Sequence, residues 1–181
     1  MKKKGIAIVL AAVLILALAA CGGGGEKEAV AKTDTDTVAI GAIVLARDDV
    51  PTDEIYTFVS TIFDNIPAIT EQHAKGGELS LEFGSSVTSV PYHPGAAKYF
   101  EEKGYPVAAV KDGAGVGEAK ELMFGTGGEA GTYYAFGGVL ASYVSNNTDV
   151  QVTAAGSTGS KTNIEDLMAG TCSSASRSPT L

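Results

Sequence analysis

Two loops rich in glycine and hydroxyl residues carry the clearest potential for chemistry in this sequence. The first lies within residues 124–138, which read Phe-Gly-Thr-Gly-Gly-Glu-Ala-Gly-Thr-Tyr-Tyr-Ala-Phe-Gly-Gly. The second, residues 156–162, reads Gly-Ser-Thr-Gly-Ser-Lys-Thr. Each loop follows a short apolar run and precedes a helical pattern. Each therefore predicts a strand, a tight turn and a helix whose first amides can bind an anion.

Two nucleotide-binding motifs compete with a simple anion site, and neither fits. Gly125-x-Gly127-x-x-Ala130 has the spacing of the dinucleotide-binding fingerprint, which also requires an acid at the end of the next strand. That position holds residues 154–157, Ala-Ala-Gly-Ser, and Asp149 lies at the wrong end of the strand. Residues 159–162, Gly-Ser-Lys-Thr, lack the glycine that a Walker loop places directly before its lysine.

Three interpretations of the loops remain. Plain turn chemistry explains either loop alone, because glycine supplies backbone conformations that other residues avoid. Two such loops, each followed by a helix, favour a pocket for a small anion. The sequence has no Gly-x-Ser-x-Gly elbow, no paired carboxylates and no Cys/His pair at a meaningful spacing, so binding without turnover is the simpler prediction. An exported enzyme acting on a small anion is the alternative.

The histidines give little support to a metal site. His93 stands close to two prolines, His73 is the only other histidine, and no cysteine lies near either in the sequence. A structural or surface role for His93 is therefore favoured over metal binding. We expect no metal and no cofactor.

Apolar spacing in the first half predicts one strand and two helices. A nearly continuous apolar run over residues 37–46 has the length and composition of a strand buried on both faces. Pro51 begins an amphipathic helix with an apolar stripe to Ile66, and Pro67 ends or kinks it. Residues 69–89 read as a loop with room for a short helix. A further short helix ends at Gly104, and residues 105–120 read as a linker.

The second half alternates strands and helices. It predicts a strand over residues 121–124, a helix over 132–145, a strand over 150–155 and a helix begun by a capping box of Thr162 and Glu165. Such an alternation predicts an α/β fold with a parallel sheet flanked by helices. The carboxyl ends of parallel strands share one edge, so both glycine loops should lie there.

The N-terminus has the features of an export signal. Three lysines at positions 2–4 precede an apolar run over residues 6–18, and Leu-Ala-Ala-Cys ends at Cys21. This run is short for a membrane span, and glycines follow at once. The signal resembles that of bacterial lipoproteins, in which the cysteine is lipidated. We therefore predict a signal peptide over residues 1–20, lipidation at Cys21, a flexible tether over 21–36, and a location in the periplasm or at the cell surface.

The charge argues against a nucleic-acid-binding protein, and the cysteine content argues against a fold stabilised by disulfides. Removal of the first 20 residues takes the formal net charge from −8 to −11, which is poor for binding nucleic acid. If Cys21 carries the lipid, Cys172 is the only other cysteine, so no internal disulfide can form. The remaining 161 residues suffice for one domain with its own core.

Two blocks of the chain resemble the TAXI family, the solute receptors of a class of tripartite (TRAP) transporters. The pattern Gly-Thr-Gly-Gly-x-x-Gly-Thr-Tyr-Tyr-x-x-Gly-Gly at residues 125–138 resembles the N-terminal signature of that family, and the block extends over residues 121–170. Residues 37–104, with Val-Leu-Ala-Arg-Asp-Asp-Val-Pro at 44–51 and Pro-Tyr-His-Pro-Gly-Ala-Ala-Lys-Tyr at 91–99, resemble its C-terminal part. The order of the blocks is reversed here, and the family's middle region is missing.

The resemblance implies a binding protein of the type II periplasmic class, reduced to one of its two lobes. It implies a small carboxylate ligand, such as glutamate or a dicarboxylate, and docking on the membrane subunits of the transporter. The residues that it implies for the ligand site are Gly127, Gly128, Gly131, Thr132, Tyr133, Tyr134, Ser157, Thr158, Gly159 and Ser160. A rearranged chain of this kind could also be a remnant without function.

The last residues predict a change of reading frame. After Leu-Met-Ala-Gly at 167–170, the family usually continues with a pattern like Asp-Val-Gln-Leu-Gly-Phe-Ala-Gln-Ser-Asp. One codon choice for that peptide, read with its first base removed, encodes Thr-Cys-Ser-Ser-Ala-Ser-Arg-Ser-Pro-Thr, the sequence at 171–180. We therefore predict that residues 171–181 are a frameshifted tail. A disordered serine-rich tail is the alternative.

Overall fold

The computed structural model describes residues 41–110, 114–117 and 121–177, which belong to one compact unit. The predicted signal peptide, Cys21 and the tether lie outside these residues. The strands are β1 (Ile43–Ala46), β2 (Leu122–Gly125), β3 (Val152–Ala155) and β4 (Ser174–Arg177). The helices are α1 (Thr52–Phe63), α2 (Ile66–Gln72), α3 (Leu81–Gly84), α4 (Pro94–Glu102), α5 (Thr132–Asn147) and α6 (Ser160–Ala169), with a 3₁₀ turn at Ala74–Glu78. No helix in the described ranges is long and apolar enough to cross a membrane.

The four strands form one sheet in the order β1-β4-β2-β3. β2 runs parallel to both β3 and β4. The strand–helix–strand alternation predicts the pair of β2 and β3, whereas β4 lies in the predicted tail and was not predicted as a strand. β1 runs antiparallel to β4, so the prediction of a purely parallel sheet is wrong for this strand. A helical crossover links β2 to β3 and another links β3 to β4. Strands joined by such crossovers in one sheet run in the same direction. No such crossover joins β1 to its neighbour, and its direction is free of that constraint.

Several predicted boundaries need correction. The first amphipathic helix ends at Phe63, and Pro67 stands in the first turn of α2 rather than in a kink. That position suits proline because the first amides of a helix have no intrahelical acceptor. Thr162 does not cap α6, which already begins at Ser160 after Gly159. Gly159 has a φ of 123°, a conformation that glycine allows, and the helix can therefore start earlier than the capping-box pattern predicts.

Both blocks of the chain contribute to one hydrophobic core. Phe58 on α1 packs edge-to-face against Phe124 on β2, with 5.9 Å between the ring centroids. Other buried core residues from both blocks include Ile55, Ile62, Ile69, Leu122, Leu140, Val144 and Val152. Because β1 also shares the sheet with β2 to β4, the two blocks form a single α/β body. This arrangement is compatible with one lobe of a binding protein.

The predicted linker contains neither helix nor strand in its two described stretches, residues 105–110 and 114–117. It is nevertheless fastened to the body by backbone hydrogen bonds. Val110 donates to Tyr92 and Gly115 donates to Asp48, at 2.8 and 2.6 Å, and Gly115 accepts from Thr52 at 3.0 Å. These bonds hold residues 105–110 and 114–117 of the linker against the start of α1 and against the segment that precedes α4.

His93 has a structural role at the start of α4. The side chain is buried, with 8% of its surface exposed. Its Nδ1 accepts a hydrogen bond from the Gly95 amide at 3.2 Å, so the proton lies on Nε2, which donates to the Val50 carbonyl at 2.9 Å. Burial lowers the pKa of His93 below its usual value, against smaller opposing effects of the Val50 carbonyl and the Asp48 charge.

We expect His93 to make stability fall on mild acidification. Its folded-state pKa lies below the unfolded value of about 6.5, so the folded chain binds fewer protons in the window just below that value. The contribution is fully present above pH ~6.5 and declines as pH falls toward the folded pKa. Thermal melts between pH 7.5 and 5 should show this decline in the native chain and a smaller one in His93→Asn, which keeps a capping acceptor but cannot titrate.

The matched control for this prediction is His73→Asn. His73 also accepts a hydrogen bond from a backbone amide, that of Lys75, but it is less buried. The melting temperature of His73→Asn should fall on acidification as much as that of the native chain. If the melting temperatures of His93→Asn and the native chain fell equally on acidification, His93 would not be the cause. Loss of the fall in His73→Asn would contradict the prediction as well.

Candidate functional site

The sheet brings the two glycine loops to one edge. β2 ends at Gly125 and β3 at Ala155, and these two residues are register partners in the parallel pair. The chain leaves both strands in the same direction, into residues 126–131 and 156–159. It then enters α5 and α6, so both helices begin at the carboxyl edge of the sheet. This is the arrangement that the sequence predicts for an anion site.

Hydrogen bonds fasten the first loop to the second. Thr126 is fully buried, and its amide and hydroxyl both donate to the Ala155 carbonyl, at 2.9 and 2.7 Å. The Ser157 amide donates to the Gly127 carbonyl at 3.0 Å. Nδ2 of Asn163 on α6 donates to the Thr126 carbonyl at 2.8 Å. The relative position of the loops is thus fixed by contacts between them as well as by the sheet.

Both helices begin without a side-chain cap. Gly131 precedes α5 and Gly159 precedes α6, and neither position has a side chain to accept a hydrogen bond from the first turn. The first turns also contain no acidic residue. Backbone amides at a helix start have no acceptor within the helix and lie at the positive end of its dipole. Two such ends side by side can bind a small anion such as a carboxylate.

The predicted residues of the first loop lie at this edge. Gly127 is buried, whereas Gly128, Gly131 and Thr132 are exposed, Tyr133 is half-buried and Tyr134 is exposed. The Tyr134 ring lies against the second loop, since a Cβ placed on Gly156 would be 3.6 Å from a ring carbon. The structure therefore places the Tyr134 ring in contact with the second loop.

The predicted residues of the second loop are partly used within it. The Ser157 hydroxyl accepts from the Gly159 amide at 3.2 Å and donates to the Thr126 carbonyl at 3.4 Å. The Thr158 hydroxyl pairs with that of Thr162. Ser160 is half-buried in the first turn of α6. Ser157 and Thr158 thus shape the loop, and the Gly159 amide is already used within it.

Two residues that position the site were not predicted from sequence. Thr126 and Asn163 are both fully buried polar residues that connect β2, β3 and α6. Asn163 follows the helix start by three residues. Its burial depends on contact with Thr126, which is 37 residues away in the chain. Sequence periodicity carries no signal for such a contact.

Within the residues that the structure describes, no group of three or more His, Cys, Asp and Glu side chains lies close enough to hold a metal ion. Backbone amides, hydroxyls and the rings of Tyr133 and Tyr134 lie at this edge. These are the groups that a ligand would meet at this edge of the α/β body.

One of three comparisons with known proteins gives a match. The family model described as the NMT1-like family, a periplasmic-binding-protein-like family, matches residues 24–104. The match covers less than half of the chain and lies in the first block, before the glycine loops. It indicates a solute-binding type of function with a small-molecule ligand. Searches of curated proteins and of solved structures found no significant match.

Proposed function

We propose that this protein is an extracytoplasmic solute-binding subunit that takes a small carboxylate at the two glycine loops. The observation that supports this most directly is the pair of uncapped helix N-termini at one sheet edge. The similarity of residues 24–104 to a periplasmic-binding-protein-like family supports the same class. The TAXI-like pattern at residues 125–138 gives the finer assignment, to a receptor of a TRAP-type transporter.

The carboxylate is held by amides in this proposal. Amides of Gly127, Gly128 and Thr132 would face the ligand at the positive end of α5, whereas the Gly131 amide already donates to the Gly128 carbonyl at 2.7 Å. The Thr132 hydroxyl adds a donor, and Tyr133 or Tyr134 packs on the ligand body. The residues from Ser157 to Ser160 form the second rim. Loops that are locked together before binding lower the ordering cost that a ligand meets.

The anchor and the partners belong to the same proposal. The Leu-Ala-Ala-Cys pattern supports lipidation at Cys21 and attachment to a membrane outside the cytoplasm. A tether of about 15 residues would then separate the lipid from the folded unit. The membrane subunits of the transporter would be its protein partners.

The described residues form one lobe-like body, and this limits the affinity. A ligand on a single edge keeps much of its surface in water, whereas closure by a second lobe buries it. We therefore expect weak, saturable binding. A chain that folds but binds no anion would instead be a remnant without function.

Calorimetry and two variants test the proposal on the chain from Gly22 onward. Glutamate and small dicarboxylates should bind and remain unchanged in product analysis. Gly128 is exposed, and a Cβ there would have its nearest neighbour at 3.9 Å, so a side chain fits. Gly128→Asp should weaken binding about tenfold or more, because its carboxylate competes for the same amides.

Gly128→Asn is the matched control, equal in size but uncharged. It should retain more affinity than Gly128→Asp. Equal effects of the two variants would argue against an anion site at this edge. Formation of a product would instead favour an enzyme, and silence toward every carboxylate in a folded chain would indicate a remnant.

A further inference from the structure

The strand β4 has an unusual composition for its place in the sheet. It lies between β1 and β2, an inner position. Its sequence is Ser-Ala-Ser-Arg, whereas β1 reads Ile-Val-Leu-Ala and β2 reads Leu-Met-Phe-Gly. Inner strands that are covered by helices are normally rich in Val, Ile and Leu. Apolar residues would therefore be expected in a strand at this place in the sheet.

Burial around β4 identifies the positions affected. Cys172 and Ser174 are buried, with 6% and 3% of their surfaces exposed. Thr171 is exposed and Ser173 is half-buried. The hydroxyl of Ser174 has no hydrogen-bond partner among the described residues. A buried hydroxyl without a partner is destabilising, and an apolar side chain avoids that cost.

An apolar cavity lies directly beside Ser174. Its volume is about 340 Å³. Its lining includes Ser174, Ala46, Ile55, Phe58, Ile62 and Leu140, from the sheet, α1 and α5. Most of these residues belong to the hydrophobic core or pack against it. The cavity therefore lies where core side chains should meet, and Ser174 is the small polar residue in its wall.

We infer that position 174 is built for a large apolar side chain, and that the cavity is partly the volume which this side chain would occupy. A change of reading frame would account for the small polar residue at this position. One codon choice for the peptide Asp-Val-Gln-Leu, read without its first base, encodes residues 171–174, and that peptide would have Val and Leu at the two buried positions and Asp at the exposed one. The burial pattern of the structure thus agrees with the alternative frame, independently of the proposed ligand.

Thermal unfolding of three variants of the chain from Gly22 onward tests the inference. Ser174→Leu should raise the midpoint by about 5 °C, because each buried methylene adds stability and the unpaired hydroxyl is removed. Ser174→Ala removes only the hydroxyl and should give less than half of that rise. Ser173→Leu, at the half-buried neighbour, should give no rise.

A hydrophobic fluorescent dye distinguishes a packing defect from a binding cavity. Dye that binds the native chain should bind less to Ser174→Leu while the midpoint rises. A midpoint of Ser174→Leu at or below that of Ser174→Ala would overturn the inference, and tight dye binding together with such a fall would show a ligand cavity instead. Resequencing the locus tests the origin: a reading frame with no lost base before residue 171 would overturn the frame change.

Discussion

Gly95→Ala is expected to destabilise the protein by about 3 kcal/mol, near the upper end for overpacking by one methyl group. Gly95 stands in the first turn of α4, where the helix meets the start of α1. A Cβ at Gly95 would overlap the Thr52 carbonyl oxygen and lie 2.6 Å from the Tyr56 amide nitrogen. Both neighbours are backbone atoms, so no side chain can rotate away, and the two helices would have to separate.

Thermal or denaturant unfolding of the chain measures this loss, which corresponds to a fall in midpoint of roughly 6–12 °C. Gly138→Ala is the matched control, since a Cβ at this glycine within α5 would meet nothing within 4 Å. It should be neutral or stabilising by up to about 1 kcal/mol, because alanine favours the helix. Similar midpoints for the two variants would show that α1 and α4 do not pack as closely as described.

The second half of the fold was predictable because its signals are local. Each short apolar run before a glycine loop, and each helical pattern after it, lies within about 30 residues, so the parallel pair β2–β3 and the shared edge of the loops follow from sequence. The helix that ends at Gly104 was equally clear, since a glycine with a φ of 84° follows α4.

The parts that sequence could not predict depend on distant contacts. β4 has no apolar pattern, and its place in the sheet comes from pairing with β1 and β2. The direction of β1 follows from the same pairing. The 3₁₀ turn and α3 lie in a mixed polar stretch where short helices leave no clear periodicity. Thr126 and Asn163 are polar residues that are buried only because the fold joins them.

The family similarity and the glycine loops lie in different blocks of the chain, and the fold joins these two blocks. The family similarity lies within residues 24–104, whereas the proposed anion cradle lies after residue 125. Phe58 and Phe124 join the blocks in one core. The cradle is therefore supported by the block that has the binding-protein similarity, and damage to either block should affect the loops.

Asn163→Asp is the second large effect that we expect, at about 3 kcal/mol of lost stability. The substitution keeps the shape of the side chain but replaces the Nδ2 donor with an oxygen. That oxygen would face the Thr126 carbonyl oxygen, which now accepts the amide hydrogen bond at 2.8 Å. Because the site is fully buried, the new carboxylate would also lose its hydration. The start of α6 would separate from β2, and with it the second loop from the first.

Unfolding measured against pH gives this prediction its sharpest test. A buried Asp facing a carbonyl has a raised folded-state pKa, since the protonated form can donate to that oxygen. The deficit of Asn163→Asp relative to the native chain should therefore shrink as pH falls toward 4. Hydrogen exchange at residues 156–160 should be faster in the variant at neutral pH.

Asn147→Asp provides the matched control, because Asn147 also donates from Nδ2 to a backbone carbonyl, that of Tyr143, at 2.7 Å. This residue is exposed at the end of α5, so water solvates the new charge. Its cost should stay below about 1 kcal/mol, mainly from the helix dipole. A small and pH-independent effect of Asn163→Asp, equal to that of the control, would contradict the role of Asn163 in holding the two loops together.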